Sequence, residues 1–108
     1  MKKKQLNRRA RRRFEVHYGV GDKRYLGYSR NLSSTGLMIG TMRVFPPGTL
    51  IDLEVKVSGS TYQLRGEVVW AREGPVAFVS TGRVGMGVRF LAPPETFVAA
   101  VRGMPGLQ

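Results

Sequence analysis

The feature that most limits the fold of this 108-residue chain is a two-residue alternation of apolar and polar side chains. It is clearest in TLIDLEVKV, residues 49–57, where Ile51, Leu53, Val55 and Val57 alternate with charged residues. A period of two indicates a strand that buries one face. The same alternation starts at Phe14 and returns in TYQLRGEVVWA (61–71) and RVGMGVRFL (83–91). The sequence therefore predicts a β protein.

Two further runs, near Tyr25 to Asn31 and Leu37 to Thr41, bring the number of predicted strands to six. SGS at 58–60 predicts a tight hairpin connection. Short strands of this kind are best accommodated by closure, which removes exposed strand edges. Glu95 to Arg102 has apolar residues at helical spacing and predicts a helix. We expect an all-β fold, a small six-stranded antiparallel barrel with a short C-terminal helix.

The positive charge of the chain is concentrated at its N-terminus. Eighteen basic and seven acidic residues give a net charge of +11. Residues 1–13 contain eight of the basic residues and no acid, whereas residues 14–108 have a net charge of only +3. This distribution predicts that anions are attracted mainly by the N-terminal segment.

Composition excludes several classes of site. The chain has no cysteine, which removes disulfides, zinc–thiolate sites and thiol catalysis. It also has no apolar run of about 18 residues and no signal-peptide pattern behind its basic start. We expect a cytoplasmic protein without membrane insertion and without a metal or cofactor.

RNLSSTGL, Arg30 to Leu37, lies between two predicted strands and combines an amide, three hydroxyls and a glycine. These residues are common in ordinary turns. Together with the arginines of RRARRRF, Arg8 to Phe14, they have a second interpretation. Guanidinium groups bind phosphate oxygens bidentately, and hydroxyl and turn amide groups add neutral donors for the same anion.

These two segments resemble the paired motifs of the PilZ domain family. RRARRRFEV has R-x-x-x-R at Arg9 and Arg13, and NLSSTG has N-x-S-x-x-G at Asn31, Ser33 and Gly36. GLMIG, PPGT, RGEVVWAR and GMGVRFL are similar in kind and order to later strands of that family. We therefore expect a disordered basic tail at 1–7, a PilZ-like domain at 8–102 and a C-terminal tail at 103–108.

The resemblance implies a receptor for cyclic di-GMP, a bacterial second messenger with two phosphates and two guanines. It implies that Arg9 and Arg13 hold phosphates and stack on guanines, with Arg8 as an auxiliary contact. It also implies that Asn31 and Ser33 contact the ligand and that Gly36 lets the loop turn beneath it. Asn31 is an uncharged alternative to the aspartate that the family also uses.

The operative arginine pair and the stoichiometry stay open. Arg8 and Arg12 have the same spacing as Arg9 and Arg13, but Phe14 directly follows Arg13, as in the family pattern. Such domains take one dinucleotide or an intercalated pair, and Arg8 favours the pair. Because ordering six residues costs about 6 to 12 kcal/mol, we expect Arg8 to Arg13 to become ordered only when several ligand contacts form together.

Two other functions remain as alternatives. A basic tail on a small barrel also fits a nucleic-acid binder, although the body lacks the basic face that such proteins usually add. A PilZ-like module that binds only proteins is the second. Catalysis is not expected, because His17, the only histidine, falls on the outward phase of a strand without an evident partner.

Trp70 could stack on a base, but it shares the alternation phase of Leu64 and Val68, which predicts that it lies in the core.

The liganded protein is expected to be a monomer that signals by docking to a protein effector.

Overall fold

The alternating segments form six strands that curl into a closed barrel. The computed structural model describes residues 13–104, with the side chain of Arg30 excepted. The strands are β1 (Phe14–Gly19), β2 (Tyr25–Leu32), β3 (Gly36–Gly40), β4 (Leu50–Val57), β5 (Ser60–Arg72) and β6 (Gly85–Phe90). A short 3-10 helix (Val76–Phe78) lies between β5 and β6, and helix α1 (Glu95–Arg102) follows β6.

Around the barrel the strands follow the order β1-β2-β3-β6-β5-β4, and β1 pairs with β4 to close it. Each of these pairings is antiparallel. Closure leaves the described strands without an unpaired edge, which is the physical reason for expecting a barrel. The predicted six-stranded barrel with a C-terminal helix is confirmed.

The β4–β5 hairpin is the most regular part of the barrel. Its register runs without a break from Leu50 opposite Glu67 to Val57 opposite Ser60. The two residues of the turn, Ser58 (φ 51°) and Gly59 (φ 84°), both have positive φ. Two positive φ angles are what a two-residue hairpin turn needs to match the twist of its strands. The tight connection predicted at SGS is confirmed.

The core consists of the inward-facing apolar residues of all six strands and the apolar face of α1. Phe97 of α1 is completely buried. Its ring packs edge-on against Phe90, with 5.3 Å between ring centroids, and lies 5.4 Å from the ring of Tyr62. Burying such a side chain contributes about 1.5–3 kcal/mol, so α1 is part of the core.

Tyr18 connects β1 to the segment after β3. Its hydroxyl donates to the carbonyl oxygen of Arg43 at 2.6 Å and lies 2.8 Å from Oγ1 of Thr41. Burial raises the pKa of Tyr18, partly offset by the Thr41 hydrogen bond and nearby Arg43. These bonds fix the start of the long β3–β4 connection to the barrel wall.

Within residues 13–104 no helix combines the length and the apolar character needed to cross a membrane.

Candidate functional site

An open trough of about 740 Å³ lies on the outside of the barrel between β2 and β5. It crosses β2, β3, β6 and β5 and is bounded at one side by residues 79–82 of the β5–β6 connection. Its size is within the range of small-molecule sites. The residues that line it include Arg13, Asn31, Ser33, Gly36, Trp70 and Arg89.

The trough exists because glycine occupies most outward positions on its two central strands. Gly36, Met38 and Gly40 of β3 stand opposite Arg89, Gly87 and Gly85 of β6. Four of these six positions have no side chain. Gly85 and Gly87 are buried, Gly87 beneath the indole of Trp70, whereas Gly36 and Gly40 are half-buried, and there a ligand can approach the sheet closely.

At two positions glycine is required by contacts that a Cβ atom would break. A Cβ on Gly36 would lie 2.4 Å from the carbonyl oxygen of Val88, and one on Gly87 would lie 2.2 Å from Nε1 of Trp70. Gly36 thus lets β3 and β6 come together, and Gly87 provides the surface on which the indole of Trp70 rests.

Trp70 is not in the core, so its predicted burial is wrong. A register shift between Val68 and Trp70 places Val68 opposite Val88 but Trp70 opposite Gly87. Val68 is fully buried, whereas Trp70 is 37% exposed and lines the trough. A β-bulge adds one residue to a strand and reverses the alternation beyond it, which turns Trp70 outward.

A second irregularity brings Asn31 to the same surface. The β2–β3 register shifts between Tyr28 and Asn31, which stand opposite Gly40 and Met38. Tyr28 and Asn31 are three residues apart, so in a regular strand they would face opposite sides. The irregularity lets both line the trough, while Ser29 and Leu32 point into the core.

Ser33 organises the loop between β2 and β3. Its Oγ accepts hydrogen bonds from the backbone N–H groups of Thr35 and Gly36, each at 3.2 Å. Its own N–H donates to the carbonyl oxygen of Gly36 at 2.9 Å. The serine therefore holds the loop in a tight turn beside the trough, which is the local role that serine often has in loops.

Arg13 reaches the trough from the start of β1. Its guanidinium carbon lies 4.4 Å from the centroid of the Tyr28 ring, a cation–π distance. The first motif's other arginine, Arg9, lies outside the described residues, as do Arg8 and Arg12. Arg13 is thus brought onto one surface with Asn31, Ser33 and Gly36, although Arg13 and Asn31 are 18 residues apart in sequence.

The trough is electrostatically suited to an anion. No aspartate or glutamate is among the described residues that line it, whereas Arg13 and Arg89 both line it, the second of them paired with Glu67 just outside the trough. Arg72 adds a third guanidinium nearby, 5.5 Å from the ring of Trp70. In the part of the chain that the structure describes, no three histidine or acidic side chains are grouped so as to hold a metal ion.

Sequence reasoning missed Arg89 and Tyr28 and misassigned Trp70. Arg89 is an outward residue of a regular strand, and the alternation of that strand does not distinguish an arginine at a binding surface from one that only contacts solvent. For Trp70 a signal did exist: VVWA is an unbroken apolar run after regular alternation, opposite the glycines of GMG. A run of this kind beside glycine is typical of a bulge.

His17 lies on the outer face of β1, as its phase predicts, and does not line the trough. Its Nδ1 is 4.0 Å from Oε1 of Glu54, and both side chains are about two-fifths exposed. Gln63 also donates to Glu54, at 2.7 Å. The three side chains form a solvated row across β1, β4 and β5.

Comparison with known proteins agrees with the fold and with the paired motifs. No curated protein matches the chain. The model of the PilZ domain family matches residues 4–103, which includes both motifs and all six strands. The suspected resemblance is thereby confirmed, and the chain belongs to the PilZ domain family, whose members are binding and adapter modules associated with cyclic di-GMP.

Proposed function

We propose that this protein is a cyclic di-GMP receptor that performs no reaction of its own. The observation that carries the proposal is the trough, where Arg13 of the first motif meets Asn31, Ser33 and Gly36 of the second. These residues come from the start of β1, from β2, from the β2–β3 loop and from β3, and no described residue that lines their common surface is acidic. The chemistry of that surface, cationic and rich in neutral donors, suits a ligand with two phosphates.

Each motif residue has a defined task in this proposal. Arg9 and Arg13 neutralise the phosphates and stack their planar guanidinium groups on guanine faces, and Arg8 assists them. Asn31 hydrogen-bonds the edge of one guanine. Ser33 contacts base or phosphate from the turn that it stabilises, and Gly36 leaves the space beneath the ligand open. The position of Arg13 next to Phe14 favours Arg9 and Arg13 over Arg8 and Arg12 as the operative pair.

Trp70, which alternation predicts to lie in the core, supplies an aromatic surface in the trough instead. Its indole is exposed and rests against the backbone at Gly87. A partly exposed aromatic ring that is held in place can stack on a nucleobase, and such stacking contributes about 1–3 kcal/mol per base. Trp70 therefore adds to the site a group that recognises the flat face of guanine.

In the proposed mechanism, ligand binding is signalled by the ordering of the basic segment, residues 8–13. Fixing these six residues costs roughly 1–2 kcal/mol each, whereas one charged hydrogen bond returns about 1.5–3 kcal/mol. Several contacts to one ligand must therefore form together. In this scheme the segment orders over the bound dinucleotide, and the new surface docks to a protein effector. The receptor itself is monomeric and cytoplasmic.

Calorimetry with cyclic di-GMP tests the function. The wild-type protein should bind with micromolar affinity or better, about −8 kcal/mol. Arg9→Ala combined with Arg13→Ala should abolish binding. Lys56→Ala combined with Arg65→Ala also removes two positive charges, but from exposed positions outside the trough, and should leave the affinity for cyclic di-GMP nearly unchanged.

The alternatives appear as distinct outcomes of the same experiment. Tight binding to RNA or DNA with a steep salt dependence and no preference for cyclic di-GMP would indicate a nucleic-acid binder. Absence of heat with cyclic di-GMP, GTP and a linear dinucleotide would indicate an interaction module that binds only proteins. Either outcome overturns the proposal.

A further inference from the structure

Arg89 is an arginine of the trough that belongs to neither motif. It projects outward from β6, opposite Gly36 on one side and Glu67 of β5 on the other. Its side chain is 57% exposed, and its Nη2 lies 2.5 Å from Oε1 of Glu67. Because Gly36 has no side chain, nothing from that neighbouring position covers the guanidinium on the side of the motif loop.

The ion pair holds the guanidinium in one orientation. An exposed ion pair contributes little to stability, so the geometry of Arg89 is the more important consequence of the contact. The guanidinium has five N–H donors in a rigid fork, and only the hydrogen bond from Nη2 is given to Glu67. The fork therefore retains donors for a second partner in the trough.

The Arg89–Glu67 pair has no net charge, whereas Arg13 is a cation. Arg13 lies on an aromatic ring, which leaves its positive charge uncompensated. The charge of Arg89 is balanced by the carboxylate of Glu67, which also repels a phosphate. The pair therefore suits a neutral acceptor better than an anion. The guanine edge that carries O6 and N7 is such an acceptor, and arginine binds it bidentately, whereas adenine presents an amino donor in place of O6.

We propose that Arg89, oriented by Glu67, forms a subsite that recognises the O6 and N7 edge of a guanine. The proposal rests on the proposed function and refines it. The cations of the first motif supply the attraction for phosphate, which any cyclic dinucleotide satisfies. The Glu67–Arg89 pair supplies, in addition to Asn31, the preference for guanine over adenine.

The test compares affinities for cyclic di-GMP and cyclic di-AMP. Removing Arg89 alone would leave Glu67 to repel the ligand, so the informative variant is Glu67→Gln combined with Arg89→Gln, which keeps the net charge. It should lower the preference for cyclic di-GMP by about 5- to 150-fold. Affinity for cyclic di-AMP and the dependence of binding on salt should change little.

The chain offers a matched control in the neighbouring pair of Arg65 and Asp52, whose Nε and Oδ1 atoms are 3.3 Å apart outside the trough. Asp52→Asn with Arg65→Gln should leave the preference as in wild type. Arg89→Lys keeps the charge but not the fork, and should lose preference without losing thermal stability.

An unchanged preference in the Glu67→Gln, Arg89→Gln protein overturns the inference and leaves the receptor function standing. Equal weakening of both dinucleotides also overturns it, because the pair would then act on the ligand's phosphates or on the shape of the trough. Absence of cyclic di-GMP binding to wild type removes the proposed function and this refinement together.

Discussion

The two sides of the barrel are built by different rules. On the β4–β5 side the register is unbroken from Leu50 to Val57, and residues alternate strictly between core and solvent. On the trough side β2 and β5 each contain a register shift, and β3 and β6 have glycine at most outward positions. Both sides contribute inward-facing residues to the core, but the irregular side also forms the concave outer surface of the trough.

The difference follows from what each side must accommodate. A regular antiparallel pair packs its inward side chains closely and gives its outward ones to water. A binding surface needs backbone that a ligand can approach and side chains aimed along the sheet, which strict alternation does not provide. Bulges re-aim Asn31 and Trp70, and glycine clears the space between them.

The largest effect is expected from a change on the regular side. Leu53→Ala removes a side chain that is only 2% exposed in the centre of β4. Loss of buried area and the remaining cavity should reduce the free energy of unfolding by about 2–5 kcal/mol. Urea denaturation measures this. Calorimetry on the folded fraction should give the wild-type affinity for cyclic di-GMP. A parallel loss of affinity would mean that ligand binding in the trough depends on packing in the β4–β5 side.

The reverse pattern is expected for Trp70→Ala on the irregular side. Loss of the stacking surface should weaken cyclic di-GMP binding by about 1–3 kcal/mol. The free energy of unfolding should change by less than about 1 kcal/mol, because the indole lies at the surface. Calorimetry and urea denaturation on the same preparation separate the two quantities. If the free energy of unfolding falls by more than the free energy of binding, Trp70 contributes mainly to packing and not to the binding surface.

The sequence predicted the regular side well and the trough only in part. Alternation at Ile51 to Val57 fixes which side chains are buried, and the bounds of α1 were predicted correctly. The motif loop could be placed between strands because of its composition. Alternation extended past Val68 places Trp70 on the wrong face, since one inserted residue reverses the phase; the trace of that residue in the sequence is the unbroken apolar run VVWA. That Arg89 is paired with Glu67 depends on β5–β6 register, which alternation alone does not determine.

A smaller effect is expected when the support of Trp70 is altered. A Cβ atom in Gly87→Ala would lie within 2.7 Å of three atoms of the indole, so the ring must shift. We expect binding to weaken by about 1 kcal/mol, the lower end of a stacking contribution. If the glycine acts through the indole, the double variant Trp70→Ala with Gly87→Ala should bind no more weakly than Trp70→Ala alone. Additive losses would show that Gly87 contributes independently of Trp70.

The smallest effect on stability is expected from removing one buried hydroxyl, that of Tyr18 on β1. Tyr18→Phe removes the hydrogen bonds to Arg43 and Thr41 and should lower the free energy of unfolding by about 1 kcal/mol. Burial raises the pKa of Tyr18, so the folded protein retains this proton at a pH where the unfolded chain releases it. Its contribution to stability is complete below about pH 10 and decreases above that value.

The gap in stability between wild type and Tyr18→Phe should therefore be constant from pH 7 to 9 and become narrower above pH 10. Urea denaturation of wild type and Tyr18→Phe at several pH values measures this gap. A gap that is the same at pH 7 and above pH 10 would mean that Tyr18 titrates as readily in the folded barrel as in the unfolded chain, against the close packing inferred for the regular side.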